Sequence, residues 1–279
     1  MEVADARHGR TMTVQRDSSH DRPDPVRPRV RVDQLNKVFR SSDSDRTVLG
    51  SVSFEVGQGE YVSVVGSSGS GKTTVLRCIA GLLAPTSGTV YVDEEPVAGP
   101  PDKLALVFQD YSRSLLPWLT VVKNVMLPLR GKGIDRAMQR DRAHEALTAV
   151  GLVDAMHQYP WQLSGGMQQR VAIARALAYQ PEALVMDEPF ASVDAQTRAD
   201  LEDLVLRLRR QYGMTVISVT HDIDEAVYMS DRVVVLSKRP TAVSQIVDIP
   251  LGESRDQITT KSDPLFAQLR AQVLVAVRH

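Results

Sequence analysis

Chemistry in this chain begins at Gly66-Ser67-Ser68-Gly69-Ser70-Gly71-Lys72-Thr73, which satisfies the phosphate-binding pattern G-x-x-x-x-G-K-[ST] at every fixed position. A polyphosphate needs several backbone N–H groups converging on it, and glycine lets the chain curl that tightly without a Cβ in the way. Lys72 then offers a mobile positive charge to the β and γ phosphates, and Thr73 offers a hydroxyl to Mg²⁺. A second candidate is the apolar run Ala183-Leu184-Val185-Met186, closed by Asp187 and Glu188. Two carboxylates at a strand end, in a chain that already holds a phosphate loop, point to metal and water chemistry rather than to a solvated loop. Gln109 ends another apolar stretch, and His221 follows a third. His144 and His157 have no such neighbours and carry no role.

These residues need a sheet edge to hold them together. Residues 61–65 form an apolar, β-branched strand running into the loop, and Leu76, Ile79, Ala80 and Leu83 then recur at helical spacing. A helix N-terminus would thus point its partial positive charge at the anion. Residues 30–39, 48–56 and 89–92 alternate as antiparallel strands do, with turns at Gly57-Gln58-Gly59 and Glu94-Glu95-Pro96. Phe39 at the end of the first is either a core aromatic or a ring that stacks on a purine. Strands are also expected at 104–108, 183–186, 215–219, 232–237 and 244–249, and helices at 141–150, 167–179 and 195–212. The last of these buries Leu201, Leu204, Val205 and Leu208. Asp222 and Glu225 read as a capping box, and Asp263-Pro264 as the start of a final helix. Leu163-Ser164-Gly165-Gly166 opens the helix at 167–179; taken alone, the glycine pair is only a turn.

The 279 residues are 43% hydrophobic and 24% charged with a net charge of −1, an ordinary globular composition without the basic bias of a nucleic-acid partner. Residues 1 to about 28 are polar, rich in Arg, Asp and Pro, and read as a disordered tail. The single cysteine, Cys78, excludes a disulfide framework and implies a reducing compartment, with the thiol a small buried hydrophobe. No apolar run approaches the roughly 18 residues a membrane span requires. At a membrane, another chain would have to hold this one.

In this order the parts resemble the ATP-hydrolysing subunit of an ATP-binding cassette (ABC) transporter. The likeness runs from about residue 30 to 237 and comprises the phosphate loop, Gln109, the signature Leu163-Ser164-Gly165-Gly166-Met167-Gln168-Gln169-Arg170, Asp187-Glu188, Ser192-Val193-Asp194 and His221. The signature is specific to that family. Met167 stands where the commonest signature has Gln, and Val193 where Leu is usual, but neither change removes a phosphate-contacting group. The resemblance implies an α/β fold: a RecA-like P-loop NTPase core with a mostly parallel sheet, an antiparallel β subdomain and an inserted α-helical subdomain. The ATPase domain would span 29–250, its helical part about 115–178, with a helix-bearing extension over 251–279.

The resemblance also assigns roles. Gly66, Ser67, Ser68, Gly69, Ser70, Gly71, Lys72, Thr73 and Thr74 would hold the phosphates of ATP, with Phe39 on the adenine. Thr73 and Gln109 would bind Mg²⁺, supported through water by Asp187; Glu188 would polarise the attacking water and His221 would contact the γ-phosphate. Ser164, Gly165, Gly166 and Gln168 would meet the ATP of a second copy in a head-to-tail homodimer, with Asp194 at the interface. Hydrolysis would then loosen the dimer. The run 115–119 would be either part of a groove for a membrane permease or a plain hydrophobic anchor.

Residues 115–121, together with Arg239-Pro240 and the stretch to Ile249-Pro250, are similar to the nitrate, sulfonate and taurine importer branch. That implies a separate permease, an indirect extracytoplasmic solute-binding partner, and a peripheral place on the cytoplasmic face of the inner membrane. Two rivals are a cassette in a non-import membrane complex and one acting on DNA or ribosomes. The sequence has neither the long coiled-coil insertion nor the second cassette of the latter kind.

Overall fold

The computed structural model describes residues 28–40, 44–110 and 114–278. The expected N-terminal tail therefore lies, but for residue 28, outside the described residues. The antiparallel strands come first: β1 (Val30–Arg40) and β2 (Asp45–Val56) pair along most of their length, and β4 (Ser87–Val92) pairs with the other edge of β1. The parallel set is β9 (Arg232–Leu236), β3 (Tyr61–Gly66), β8 (Thr215–Val219), β7 (Ala183–Asp187) and β6 (Leu104–Val107), side by side in that order. The two sets are joined by β10 (Thr241–Asp248), antiparallel to β9 and briefly parallel to β2. With the two-residue β5 (Glu95–Pro96) on the outer edge, one ten-stranded sheet results.

β5 corrects an expectation. Glu94-Glu95-Pro96 was read as a turn, but Glu95 and Pro96 pair back onto Val92 and Tyr91, and the reversal is made by Asp93 and Glu94 at φ 50° and 66°.

All six residues of β3 are buried, as a central parallel strand covered on both faces requires. Its side chains divide by parity: Val62 and Val64 join the core beneath α1 (Lys72–Ile79), whereas Tyr61 and Val65 face the layer that carries most of the other helices. Cys78 lies in the first core, and burial pushes its thiol up to about 11.

Between β6 and β7 the chain is mainly helical, and its longer described helices are three. These are α2 (Val121–Met126), α3 (Arg136–Ala149) and α4 (Gly165–Ala178). α3 starts earlier than its apolar spacing suggested, because Asp135 accepts a hydrogen bond from Met138 N at 2.8 Å and so caps a further turn. The run from Leu115 to Leu119 is irregular: Leu115 is buried, Trp118 is 70% exposed, and the fully buried amide of Asn124 holds the backbone of Leu116, Leu119 and Thr120.

Beyond β7, α5 (Ala195–Tyr212) buries the four apolar residues expected, between the Asp194 cap and Gly213 at φ 61°. α6 (Ile223–Met229) starts on Asp222, whose Oδ1 accepts from the N–H groups of Asp224 and Glu225. The expected capping box does not close, because the Asp222 N–H is taken by Thr220 Oγ1 at 3.0 Å and Glu225 turns into the core. The chain then returns in α7 (Pro264–Arg278), which packs Phe266, Leu269 and Val273 inward and starts on Asp263, as expected. Among the described residues no helix is long and apolar enough to cross a membrane.

Candidate active site

The phosphate loop lies between the end of β3 and the start of α1, and packing as well as curvature dictates its glycines. A Cβ at Gly71, where φ is +86°, would come within 2.9 Å of Leu49 Cδ2; one at Gly66 would come within 2.7 Å of Ser70 Oγ. Ser70 N donates to Ser67 O at 3.0 Å, and the Thr241 hydroxyl donates to Ser70 O at 2.6 Å, pinning the loop from β10. Lys72 Nζ donates to the carbonyls of Gly66 at 2.9 Å and Ser67 at 3.3 Å. Burial draws its pKa below the ordinary lysine value, and the nearby charges of Glu188 and Asp187 oppose the shift. The hydroxyl of Ser70 is buried with no partner among the described residues.

Parallel neighbours bring the other groups to the same edge of the sheet. Asp187 ends β7, and Thr73 Oγ1 donates to its Oδ1 at 3.4 Å. Burial first, and then the charge of Glu188, push the Asp187 carboxyl above the usual carboxylate range. Glu188 follows at φ +43°, a conformation costly for a side-chain-bearing residue and held here by its N–H bond to Val219 O at 2.8 Å. Its Oε2 accepts from Gln109 Nε2 at 2.9 Å and lies 3.2 Å from His221 Nδ1. Gln109, Glu188 and His221, distant in sequence, thus meet beside the phosphate loop. The cleft has a volume of about 510 Å³; Lys72, Thr73, Thr74, Glu188 and His221 line it, and so does Arg239, to which the sequence reading gave no role there.

Other expected site residues stand outside this cleft in the single chain. Phe39 is 43% exposed, with Lys37 Nζ 5.4 Å from its ring centre. Ser164 caps α4 through its Oγ, which accepts from Met167 N at 3.3 Å, and Ser164 and Gly165 are exposed. Gln168 spends its amide hydrogens within the chain, on the carbonyls of Pro160 at 3.0 Å and Leu163 at 3.2 Å. Asp194, also exposed, accepts from Thr197 N at 3.0 Å and Thr197 Oγ1 at 2.7 Å, bonds that hold its carboxyl below the usual range.

Thr197, which no motif in the sequence marks, is the link between these two regions. A Cβ at Gly166 would come within 2.4 Å of Thr197 Cγ2, so the start of α4 presses on the residue that fixes Asp194.

A cradle of backbone N–H groups, a lysine, hard oxygen donors, and a carboxylate held between an amide and an imidazole is the equipment for cleaving a phosphoanhydride with water. The comparisons with known proteins agree. The ABC transporter family model matches residues 49–191. The nitrate import ATP-binding protein NrtD of Synechococcus elongatus is 41% identical over 246 residues, covering 87% of this chain and 89% of that protein. The bicarbonate transport ATP-binding protein CmpD of Synechocystis sp. is 40% identical over 247 residues, covering 87% and 86%. Among solved structures, the dimeric post-hydrolysis state of the ATP-binding cassette MJ0796 bound to ADP and Pi superposes with a TM-score of 0.70 at 35% identity, covering 79% of this chain and 98% of that one. The family resemblance drawn from the motifs, and its nitrate-importer branch, are borne out by these relatives. The chain belongs to the ABC transporter family, and it is an ATP-binding, ATP-hydrolysing cassette of that family.

Proposed function

We propose that this cassette energises the import of a small anion, of the nitrate, bicarbonate or sulfonate kind, through a separate transmembrane permease. The observation that carries the mechanism is the gathering of Gln109, Glu188 and His221 at the phosphate loop while Ser164, Gly165 and Asp194 remain exposed elsewhere. The groups expected at the phosphates lie within one chain, while Ser164, Gly165 and Asp194 face outward, as a head-to-tail homodimer with ATP at its interface would require. In this reading the loop from Gly66 to Thr74 cradles the phosphates and Phe39 stacks on adenine. Glu188, steadied by Gln109 and His221, orients the attacking water, and His221 also contacts the γ-phosphate. Ser164, Gly165, Gly166 and the helix they open bind the partner's nucleotide; Gln168 supports that turn through its bonds to Pro160 and Leu163. Asp194 lies at the dimer interface.

The residues present fit Mg²⁺. The hydroxyl of Thr73, the carboxylate of Asp187 and the side-chain carbonyl of Gln109, whose N–H is turned to Glu188, are hard oxygen donors near the Lys72 end of the loop. Among the described residues no group of three or more acidic, His or Cys side chains could hold a metal by itself, which suits an ion carried largely by the substrate's phosphates. Bound there, Mg²⁺ would supply positive charge to the β and γ oxygens. Asp187 and Glu188, adjacent carboxylates, would gain most from it.

The import reading is supported by the nitrate and bicarbonate transport proteins among the relatives. It implies a peripheral cassette on the cytoplasmic face of the inner membrane and a solute-binding protein that meets only the permease. The test is to tag the chain, extract source-cell membranes in mild detergent and identify what co-purifies. A multi-span permease, encoded beside an extracytoplasmic binding protein for an oxyanion, is the expected outcome. Recovery of DNA-bound or ribosomal proteins without a membrane protein would overturn the import reading and leave the ATPase intact.

A further inference from the structure

Arg239 is the one cation in the cleft that neither the phosphate-loop pattern nor the signature accounts for. It lines the cleft together with Gly69, Lys72, Glu188 and His221. Its Nη2 lies 3.5 Å from the point that a Cβ on Gly69 would occupy. The loop that carries it is fastened on both sides. Ser237 N donates to Ala242 O at 2.9 Å, Ala242 N donates to Ser237 Oγ at 3.0 Å, and Thr241 Oγ1 donates to Ser70 O at 2.6 Å. Pro240 packs under the loop, 3.1 Å from where Gly50 would carry a Cβ. None of the ion pairs found among the described residues includes Arg239.

Charge balance gives this residue a purpose. Apart from Arg239, Lys72 faces Asp187 and Glu188, and Arg77 also acts on Asp187, so without Arg239 the cationic side chains only balance the carboxylates that a polyanion must approach. Arg239 tips that balance to positive before any cation arrives with the nucleotide. A guanidinium that spends its donors on no other side chain is also suited to phosphate oxygens, which it can meet two at a time.

Its place in the sheet says which phosphates. β3, which leads into the loop, lies between β8 and β9. His221 and Glu188 leave the β8 and β7 side; Arg239 leaves the β9 side, toward β10, β2 and β1, and β1 carries Phe39. A nucleotide with its base at Phe39 and its terminal phosphate at Glu188 therefore passes Arg239 before it reaches the γ position. We propose that Arg239 is an additional phosphate-binding residue that grips the phosphates nearer the nucleoside, the ones ADP shares with ATP. The proposal rests on the nucleotide orientation given under the proposed function and adds to it a contact that persists after hydrolysis.

The test is calorimetric titration of the full chain with Mg-ADP and with a non-hydrolysable ATP analogue, using Arg239→Ala, Arg239→Lys, His221→Ala and Lys72→Ala. Arg239→Ala is expected to raise the Kd for both ligands by about tenfold, the scale of one lost charge-assisted contact. Arg239→Lys should recover part of the loss, and His221→Ala should weaken only the analogue. The melting midpoint of Arg239→Ala without nucleotide should equal that of the wild type. Unchanged Kd values for both ligands in Arg239→Ala, with binding still lost in Lys72→Ala, would overturn the proposal and leave the site standing. Loss of analogue binding alone would overturn it in favour of a γ-phosphate contact, and a lowered nucleotide-free midpoint would reduce Arg239 to bracing the loop. A wild-type chain that binds neither ligand would remove both readings.

Discussion

The phosphate cleft and the signature region are built from the same kind of parts, a tight turn leading into a helix, yet they finish differently. In the cleft the groups converge: Thr73 meets Asp187, and Gln109 and His221 both meet Glu188. At the signature, Ser164 and Asp194 each cap their own helix and otherwise face solvent. A site whose polar groups already answer one another can orient a water molecule. One whose groups answer only their own backbone is finished as structure but still open to a ligand held by another molecule. Under the proposed head-to-tail pairing, the difference separates what a monomer can do, bind nucleotide, from what a pair can do, turn it over.

The contrast is broken most strongly by Glu188→Gln, which removes the carboxylate proposed to orient water while keeping the shape of the side chain. Turnover measured by phosphate release should fall by about 10²- to 10⁴-fold, with ATP still bound and a dimer trapped. Gel filtration in Mg-ATP that shows only monomer would count against the shared site. Next, Ser164→Arg should lower hydrolysis by about 10²-fold through loss of N-terminal donors acting on the partner's nucleotide. Its Kd for ADP should match the wild type, and a weakened Kd would merge the two regions into one.

Gly166→Ala forces a Cβ against Thr197 and should cost about 1–3 kcal/mol in a urea melt. Adding Thr197→Ser, which removes the crowded methyl but keeps the hydroxyl bonded to Asp194, should restore much of that stability. No recovery would mean that the strain lies elsewhere. The smallest effect is expected at the cleft's own brace: Thr241→Val should lose about 1 kcal/mol of stability by orphaning Ser70 O. Equal melting curves would mean the loop keeps its shape unaided.

Much of the fold could be read directly from the chain because its signals are local. The apolar, β-branched run of β3, the spacing of Leu201, Leu204, Val205 and Leu208, and the Asp263-Pro264 start all depend on near neighbours. The phosphate loop was legible for the same reason. What escaped depends on partners far away. Nothing near Thr241 says that its hydroxyl will meet Ser70, and nothing near Thr197 says that Gly166 will press on it. Arg239 was visible only as part of a branch-specific stretch, since its place at the cleft comes from the neighbouring of β9 and β3. The reversal at Asp93 and Glu94 was missed for a different reason: left-handed conformations there are taken by residues other than glycine, so the usual marker is missing.

The continuous sheet has a mechanical consequence. β10 hydrogen-bonds to β9 and to β2, so the Phe39 end and the hydrolytic end of the nucleotide's path belong to one stiff slab. Sliding one end past the other would rupture a row of ladder bonds at about 1 kcal/mol each. Helices α2 to α4 add no strand to that slab and are tethered to it by side-chain packing and two crossings of the chain, one of which leaves at Gln109. A movement of these helices against the sheet would be felt first at those two crossings, and at one of them Gln109 donates to Glu188.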